Sequence, residues 1–264
     1  MTLTFIKLGG SLITDKREAQ SFRADLMRQA AEEIASARAA DPTLGLVVGH
    51  GSGSFGHVAA QKHGTMQGVH TPDQWRGFAE VAYVARRLNS LVLDTLFEAG
   101  LPVMSMQPSA SAMSTDGALI QMETASIRTL LERGLIPLVF GDVSLDSVRG
   151  GTIISTETVF GYLASKLHPT RIFLLGEVEG VYDSAGVVFP HIHPGNFDQI
   201  AAALGGSRGT DVTGGMSSKV RGMLDLAASV EGLQVRIFGG TTPGQLRSAL
   251  LGESTPGTLL TAHA

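Results

Sequence analysis

Six short apolar runs, LTFIKL, LGLVVGHG, LPVMSM, LIPLVFGD, RIFLLG and VRIFGG, are spread along the chain, each rich in Val, Ile, Leu or Phe and each ending in glycine or polar residues. Unbroken rather than alternating hydrophobicity over so few positions is the pattern of strands buried on both faces. Between these runs the apolar spacing lengthens to that of a helix. Ser21 to Ala40 carries Leu26, Ala30 and Ile34 on one face, Asp73 to Ala99 is a long helical stretch, Thr124 to Arg133 a short one, and Ser217 to Val230 repeats Val220, Leu224 and Ala227. Strands and helices in alternation predict an α/β fold, an open α/β/α sandwich with a mainly parallel central sheet. The stretch EVEGVYDSAGVVFPHIHPGN is the least helical and predicts a hairpin with loops. No repeat or low-complexity linker breaks the 264 residues, which read as a single domain.

Composition removes several function classes. With 43 % hydrophobic and 17 % charged residues the chain can bury a large core. No apolar run approaches the ~20 residues that span a bilayer. The opening MTLTFIKLGGS is interrupted at Lys7 and does not read as a secretory signal, so no membrane partner and a cytoplasmic location are expected. The absence of cysteine excludes disulfides, thiolate catalysis and cysteine-held zinc or iron-sulfur clusters. A net charge of −4 gives no reason to expect nucleic acid. An anionic ligand must then be held by local groups.

In a parallel sheet ligands gather at the carboxyl ends of the strands, which directs attention to the residues after each apolar run. In IKLGGSLITDK, Gly9 and Gly10 free the backbone to turn and aim N–H groups at an anion while Lys7 and Lys16 supply charge; simple turn glycines and solvated lysines would look the same. VVGHGSGSFGH packs Gly49, Gly51, Gly53 and Gly56 around Ser52 and Ser54 directly after a strand. His57 stands where a helix should begin, as a cap or, beside such a nest, as a ligand group. Gly141 and Asp142 follow the strand in LVFGDVSLD, where Asp142 either caps the next turn or faces the site. In GTDVTGGMSSKV, Asp211, Thr213, Gly214 and Gly215 precede a helix with Lys219 in its first turn, a place unfavourable for the helix itself and suited to a phosphate. Gly176, Gly180 and Tyr182 of LLGEVEGVYD shape either a nucleotide slot or a hairpin turn.

Taken together and in this order, IKLGGSLITDK, GHGSGSFGH, VFGDV, GTDVTGGMSSKV and the closing VRIFGG with GTLLT resemble the amino acid kinase superfamily, nearly end to end. GSFGH and the lysine of ITDK point to its isopentenyl phosphate kinase branch and the related fosfomycin kinases. The resemblance implies an acceptor lobe at residues 1–165, a lobe for ATP and Mg²⁺ at 166–264, a homodimer, and isopentenyl phosphate as small-molecule substrate. Carried over to this chain, Lys7, Gly9, Gly10 and Ser11 would surround the β- and γ-phosphates, and Lys16 would stabilise the phosphoryl group in flight. Gly51, Gly53, Gly56 and His57 would hold the acceptor phosphate, with Gly141, Asp142 and Thr156 near it and Ser52 toward the nucleotide. Thr213, Gly214, Gly215 and Lys219 would bind nucleotide phosphates from the other lobe, and Gly176, Gly180 and Tyr182 would border the nucleotide. No protein-held metal ligand is implied.

Two departures stand out. Where the family carries Ser-Gly-Asp this chain has Ser155, Thr156 and Glu157, and where it carries Asp-Val-Asp-Gly this chain has Glu177, Val178, Glu179 and Gly180. The charges are kept, while the glycine's close backbone approach is lost and the carboxylate that should organise the catalytic lysines gains a methylene. For the acceptor's tail, Trp75, Phe78, Ala79 and Ala82 follow helical spacing, as a core stripe or as an apolar slot. A fosfomycin-type kinase would keep the phosphate-handling residues and alter the tail pocket. A non-catalytic nucleotide sensor would be expected to lack one of the lysines, and all three are present.

Overall fold

The computed structural model describes residues 2–15, 17–204 and 215–264. All six apolar runs form strands of one eight-stranded sheet, in the order His191–Ile192, Thr258–Leu260, Gln234–Gly239, Arg171–Gly176, Leu3–Leu8, Gly45–His50, Ile136–Phe140, Val103–Ser105. Every neighbouring pair is parallel except Gln234–Gly239 against Thr258–Leu260, where the direction reverses.

Alternate residues of each strand enter different cores. Ile6, Leu8, Leu46, Val48, Phe173 and Leu175 pack with Met27 and Ile34 of the Ala24–Ala40 helix and with Val81, Leu88 and Val92 of the Pro72–Glu98 helix. Leu3, Phe5, Val47, Ile172 and Leu174 face the opposite way, onto Val159 and Leu163 of Thr156–Leu167, Phe197 of Pro194–Leu204, and Val220 and Leu224 of Gly215–Ser229. The result is the predicted α/β/α sandwich, with the strands buried on both faces. Residues 1–165 and 166–264 share this sheet, because Arg171–Gly176 pairs with Leu3–Leu8 along its length.

Several elements differ from the expected pattern. The helix expected from Ser21 begins at Ala24, since Ser21–Phe22 pairs with Thr14–Asp15 in a two-rung antiparallel ladder. The helix expected to begin at His57 begins at Gly53, so His57 lies in its second turn, exposed. A second sheet, Gly150–Ile154, Asp142–Asp146, Met113–Thr115 and Ala118–Gln121, lies almost wholly outside the six apolar runs, and of it only TII at 152–154 reads as strand-like in the sequence. Its turn is held by Asp146, whose carboxylate accepts backbone N–H groups of Asp116, Gly117, Val148 and Arg149. The expected hairpin after Gly176 forms around a Tyr182–Val188 bridge, and its last residues open the Pro194–Leu204 helix. Among the described residues no helix is long and apolar enough to cross a membrane.

The long Pro72–Glu98 helix begins with a capping box: Thr71 Oγ1 accepts from the Gln74 N–H at 3.3 Å, and Gln74 Oε1 accepts from the Thr71 N–H at 3.0 Å. Thr71→Ala should therefore lower the unfolding free energy by about 1 kcal/mol, the usual cost of losing an N-cap. Chemical denaturation at fixed pH measures it, and an unchanged midpoint would show that the cap contributes nothing here.

Candidate active site

Lys7 shares strand parity with Leu3 and Phe5, so its side chain leaves the sheet on the face covered by Thr156–Leu167 and Gly215–Ser229. Its neighbour across the ladder is Gly49. A Cβ at Gly49 would lie 2.7 Å from the Phe160 ring and 2.8 Å from the Thr156 methyl. The bare position lets the start of that helix settle against the strand, with Phe160 also packed 5.1 Å from Phe5. Glu157, in the helix's first turn, then reaches Lys7: Nζ donates to Oε1 at 2.5 Å, with the two side chains 11 % and 22 % exposed. Ser155 caps the helix by accepting the Thr158 N–H. Burial works to raise the Glu157 pKa, but the charges of Lys7 and Lys219 and the hydrogen bond from Lys7 outweigh it and hold the group below the ordinary glutamate value. A carboxylate is thus drawn toward amines from two elements at the carboxyl end of the central strand.

The glycine-rich loops lie against each other. Gly9 donates to the Leu175 carbonyl at 2.8 Å, and Gly51 donates to the Leu8 carbonyl at 3.0 Å. A Cβ at Gly10 would sit 2.5 Å from the Gly53 nitrogen, and Gly53 itself adopts φ +48°, a conformation that favours glycine. At Gly10 and Gly53 the missing side chain is therefore explained by contact between the two loops. Several N–H groups of the expected nest are also engaged within the protein: Ser54 donates to Thr14 Oγ1 at 3.0 Å, and Gly56 to the Ser52 carbonyl at 3.1 Å. Ser11 and Ser52 flank these loops, both partly buried.

His50 ends its strand beneath the second loop and is 1 % exposed. Its ring stacks on Phe140 with centroids 5.4 Å apart, Nδ1 faces the Gly51 carbonyl at 3.1 Å, and Nε2 faces Asn89 Oδ1 at 3.3 Å. Asn89 in turn donates to Ser105 at 2.7 Å. Burial pushes the His50 pKa down to about 4, against the pull of its two oxygen partners and with the charge of Lys7 reinforcing the shift. The ring is neutral at pH 7. Thr156 Oγ1 and the Gly141 N–H both donate to the His50 carbonyl, at 2.6 and 3.3 Å. The Asp142 carboxyl is nearly buried and accepts from the Ser109 and Val143 N–H groups; burial raises its pKa. Thr156 and Asp142 are thus engaged with the protein itself, Thr156 on a strand end and Asp142 on the Pro108–Ala110 turn.

From the carboxy-terminal half, Lys219 is the fifth residue of Gly215–Ser229, partly buried, and Gly215 opens that helix at φ +72°. Gly176 ends its strand opposite Gly239. Gly180 packs against Val188 and Thr258, and Tyr182 accepts the Glu179 N–H within the hairpin, the turn reading of that stretch. Lys16, Thr213 and Gly214 lie outside the described residues, as does Asp211. Of the proposed tail stripe, Phe78 and Ala82 pack on the core while Trp75 and Ala79 are exposed, so the four do not form one buried row. Two hollows of about 510 and 430 Å³, one around Thr242–Gln245 and one around Asp41 and Arg171, share no residue with this cluster.

Three groups were not singled out from sequence. Arg23 donates to the Ser11 carbonyl at 3.0 Å and to Glu177 at 2.5 Å, tying the first loop to the segment after Gly176. Its position inside an expected helix concealed it. His50 was visible in GHGSGSFGH but read only as a strand end, and Thr14 stood in ITDK beside Lys16, which alone drew attention there. With Lys7, Arg23 and Lys219 at the strand ends, the arrangement suits a polyphosphate more than a neutral ligand.

The model for the Amino acid kinase family matches residues 2–239. The chain is 35 % identical to the isopentenyl phosphate kinase of Methanothermobacter thermautotrophicus, over 98 % of this chain and 99 % of the relative. It is 39 % identical to that of Haloferax volcanii over the same shares. A solved isopentenyl phosphate kinase structure superposes with a TM-score of 0.82 at 31 % identity, covering 98 % of this chain and all of the other. The chain belongs to the amino acid kinase family and, within it, to the isopentenyl phosphate kinases.

The neutral, buried His50 predicts a pH effect. Its pKa is lower folded than unfolded, so the unfolded chain binds the extra proton and stability falls as pH drops from about 6.5 toward 4. Between pH 7 and pH 5 this group alone should remove about 2 kcal/mol of stability. Denaturation curves at the two pH values should show a smaller acid loss in His50→Gln than in the unaltered protein, and equal losses would refute the assignment.

Proposed function

We propose that this protein transfers the γ-phosphoryl group of ATP to the phosphate of isopentenyl phosphate, releasing ADP and isopentenyl diphosphate. The observation that carries the reading is the Glu157 carboxylate drawn toward Lys7 and Lys219 at the strand ends, in a chain similar over its full length to isopentenyl phosphate kinases. Phosphoryl transfer needs alignment and neutralisation of the equatorial oxygens more than covalent help. A phosphate monoester has its second pKa near ~6 and is already a nucleophile at neutral pH, so no general base is required.

Each side chain then has a role. Lys7 and Lys219 approach the nucleotide phosphates from two sides, and Lys16 stabilises the moving phosphoryl group. His57 donates to the acceptor phosphate from the Gly53–His63 helix, whose N-terminal end favours an anion. Glu157 keeps the amines in register. Mg²⁺ fits as a companion of the nucleotide: Glu157 and Glu177 are each paired with a cation, and among the described residues no three carboxylate or imidazole groups converge. When bound, it would neutralise phosphate charge. In this reading residues 1–165 present the acceptor and 166–264 the nucleotide, in a homodimer, as the family resemblance implies, and the protein works in the cytoplasm.

An acceptor panel with MgATP, read as ADP release, tests the specificity. Isopentenyl phosphate should turn over best, dimethylallyl phosphate more weakly, and glutamate, acetylglutamate, aspartate and UMP little. Preference for one of those four would overturn the reading, preference for fosfomycin would transfer it to that chemistry, and no turnover at all would favour a nucleotide-binding sensor. With the best acceptor, Glu157→Gln should lower kcat by about 10²–10³-fold, comparable to losing one preorganised electrostatic group. Near-normal kcat would show that Lys7 and Lys219 need no anion between them.

A further inference from the structure

The Thr14 hydroxyl lies where the two glycine loops meet, and none of the roles above includes it. Thr14 is fully buried. Its Oγ1 donates to the Gly10 carbonyl at 2.6 Å and accepts the Ser54 N–H at 3.0 Å, using both sides of one oxygen. Gly10 belongs to the loop after Lys7, and Ser54 is the second residue of the helix that carries His57. The backbone N–H of Thr14 also donates to the Gly10 carbonyl, so that acceptor is held twice by one residue. The contact is tight: an added Cβ at Gly53 would collide with Thr14 Oγ1. Thr14 also begins the two-rung ladder with Ser21–Phe22, whose far side returns to the second loop through the Gln20 N–H and the Ser54 carbonyl, 3.4 Å apart.

We propose that Thr14 is a positioning residue that sets the distance between the nucleotide-side loop at Gly9–Ser11 and the acceptor-side loop at Gly51–Gly56. This rests on the phosphotransfer reading, in which the two loops hold the two reactants. A hydroxyl can donate to one loop and accept from the other at once, which neither a methyl nor a single-function group can do. Its removal leaves each substrate's own contacts in place and loosens their alignment. Reaction rate depends steeply on that alignment, while binding of either partner does not.

The test compares Thr14→Val, which keeps the shape without the hydroxyl, with Thr14→Ser, which keeps the hydroxyl without the methyl. With the best acceptor of the panel, Thr14→Val should lower kcat by about 10- to 100-fold, as a misalignment of about 1 Å does, and leave both KM values within about twofold. Thr14→Ser should stay within about threefold of the unaltered enzyme in kcat. Unchanged kcat in Thr14→Val, a loss confined to KM, or equal losses in valine and serine would each overturn the proposal, the last by assigning the effect to the methyl's packing. Hydrogen exchange of the Ser54 amide gives a readout that needs no activity: it should quicken in Thr14→Val and stay slow in Thr14→Ser. Equal exchange in the two variants would refute the hydroxyl bridge whatever the substrate is, whereas failure of the acceptor panel alone would leave the exchange result standing. If valine prevents folding, Ser54 amide exchange in Thr14→Ser against the unaltered protein decides: exchange as slow as in the unaltered protein supports the hydroxyl bridge, and quickened exchange refutes it.

Discussion

A carboxylate drawn toward two amines is the interaction around which this molecule is arranged. Left alone in a largely buried position, Glu157 would have its pKa pushed up by burial, and Lys7 would be an uncompensated charge under the sheet's covering helices. Together they are tolerated, and their meeting requires almost everything else in the fold. Lys7 must leave the central strand on the correct face, Gly49 beside it must lack a side chain, and Phe160 must fill that gap so that the helix beginning at Thr156 comes down close to the strand. A one-residue slip of Leu3–Leu8 would turn Lys7 into the opposite core.

The sandwich was largely legible from the chain because its central strands are buried on both faces and read as unbroken apolar runs. What escaped did so for physical reasons. Gly53–His63 opens with GSFG, residues of poor or indifferent helix propensity, and is held by its N-terminal contacts and by packing on Pro72–Glu98. The second sheet has strands of three to five residues, too short for a period to show.

The site was legible by residue type and not by partner. Lys7 and Lys219 drew attention as amines flanking glycine-rich turns, but the chain contains no local sign that Lys7 meets Glu157, 150 positions away. Thr14 and Arg23 were invisible for a related reason: each acts through contacts with loop backbone, at Gly10, Ser11 and Ser54, which leave no trace in side-chain patterns. The bare backbone of Gly10 and Gly53 was read as room for a ligand, whereas much of it is room for the neighbouring loop.

The carboxylate among the amines also bears on the end of the catalytic cycle. Phosphorylating a phosphate makes a product more highly charged than the acceptor that entered, and a site of uncompensated cations would hold that product more tightly than the substrate. With Glu157 already occupying part of the hydrogen-bonding capacity of Lys7 and lying in the field of Lys219, the three groups together present about one net positive charge instead of two, by simple addition of formal charges. In the proposed reaction, departure of the diphosphate would return Lys7 to a partner already in place and so ease product release, the step that so often limits turnover.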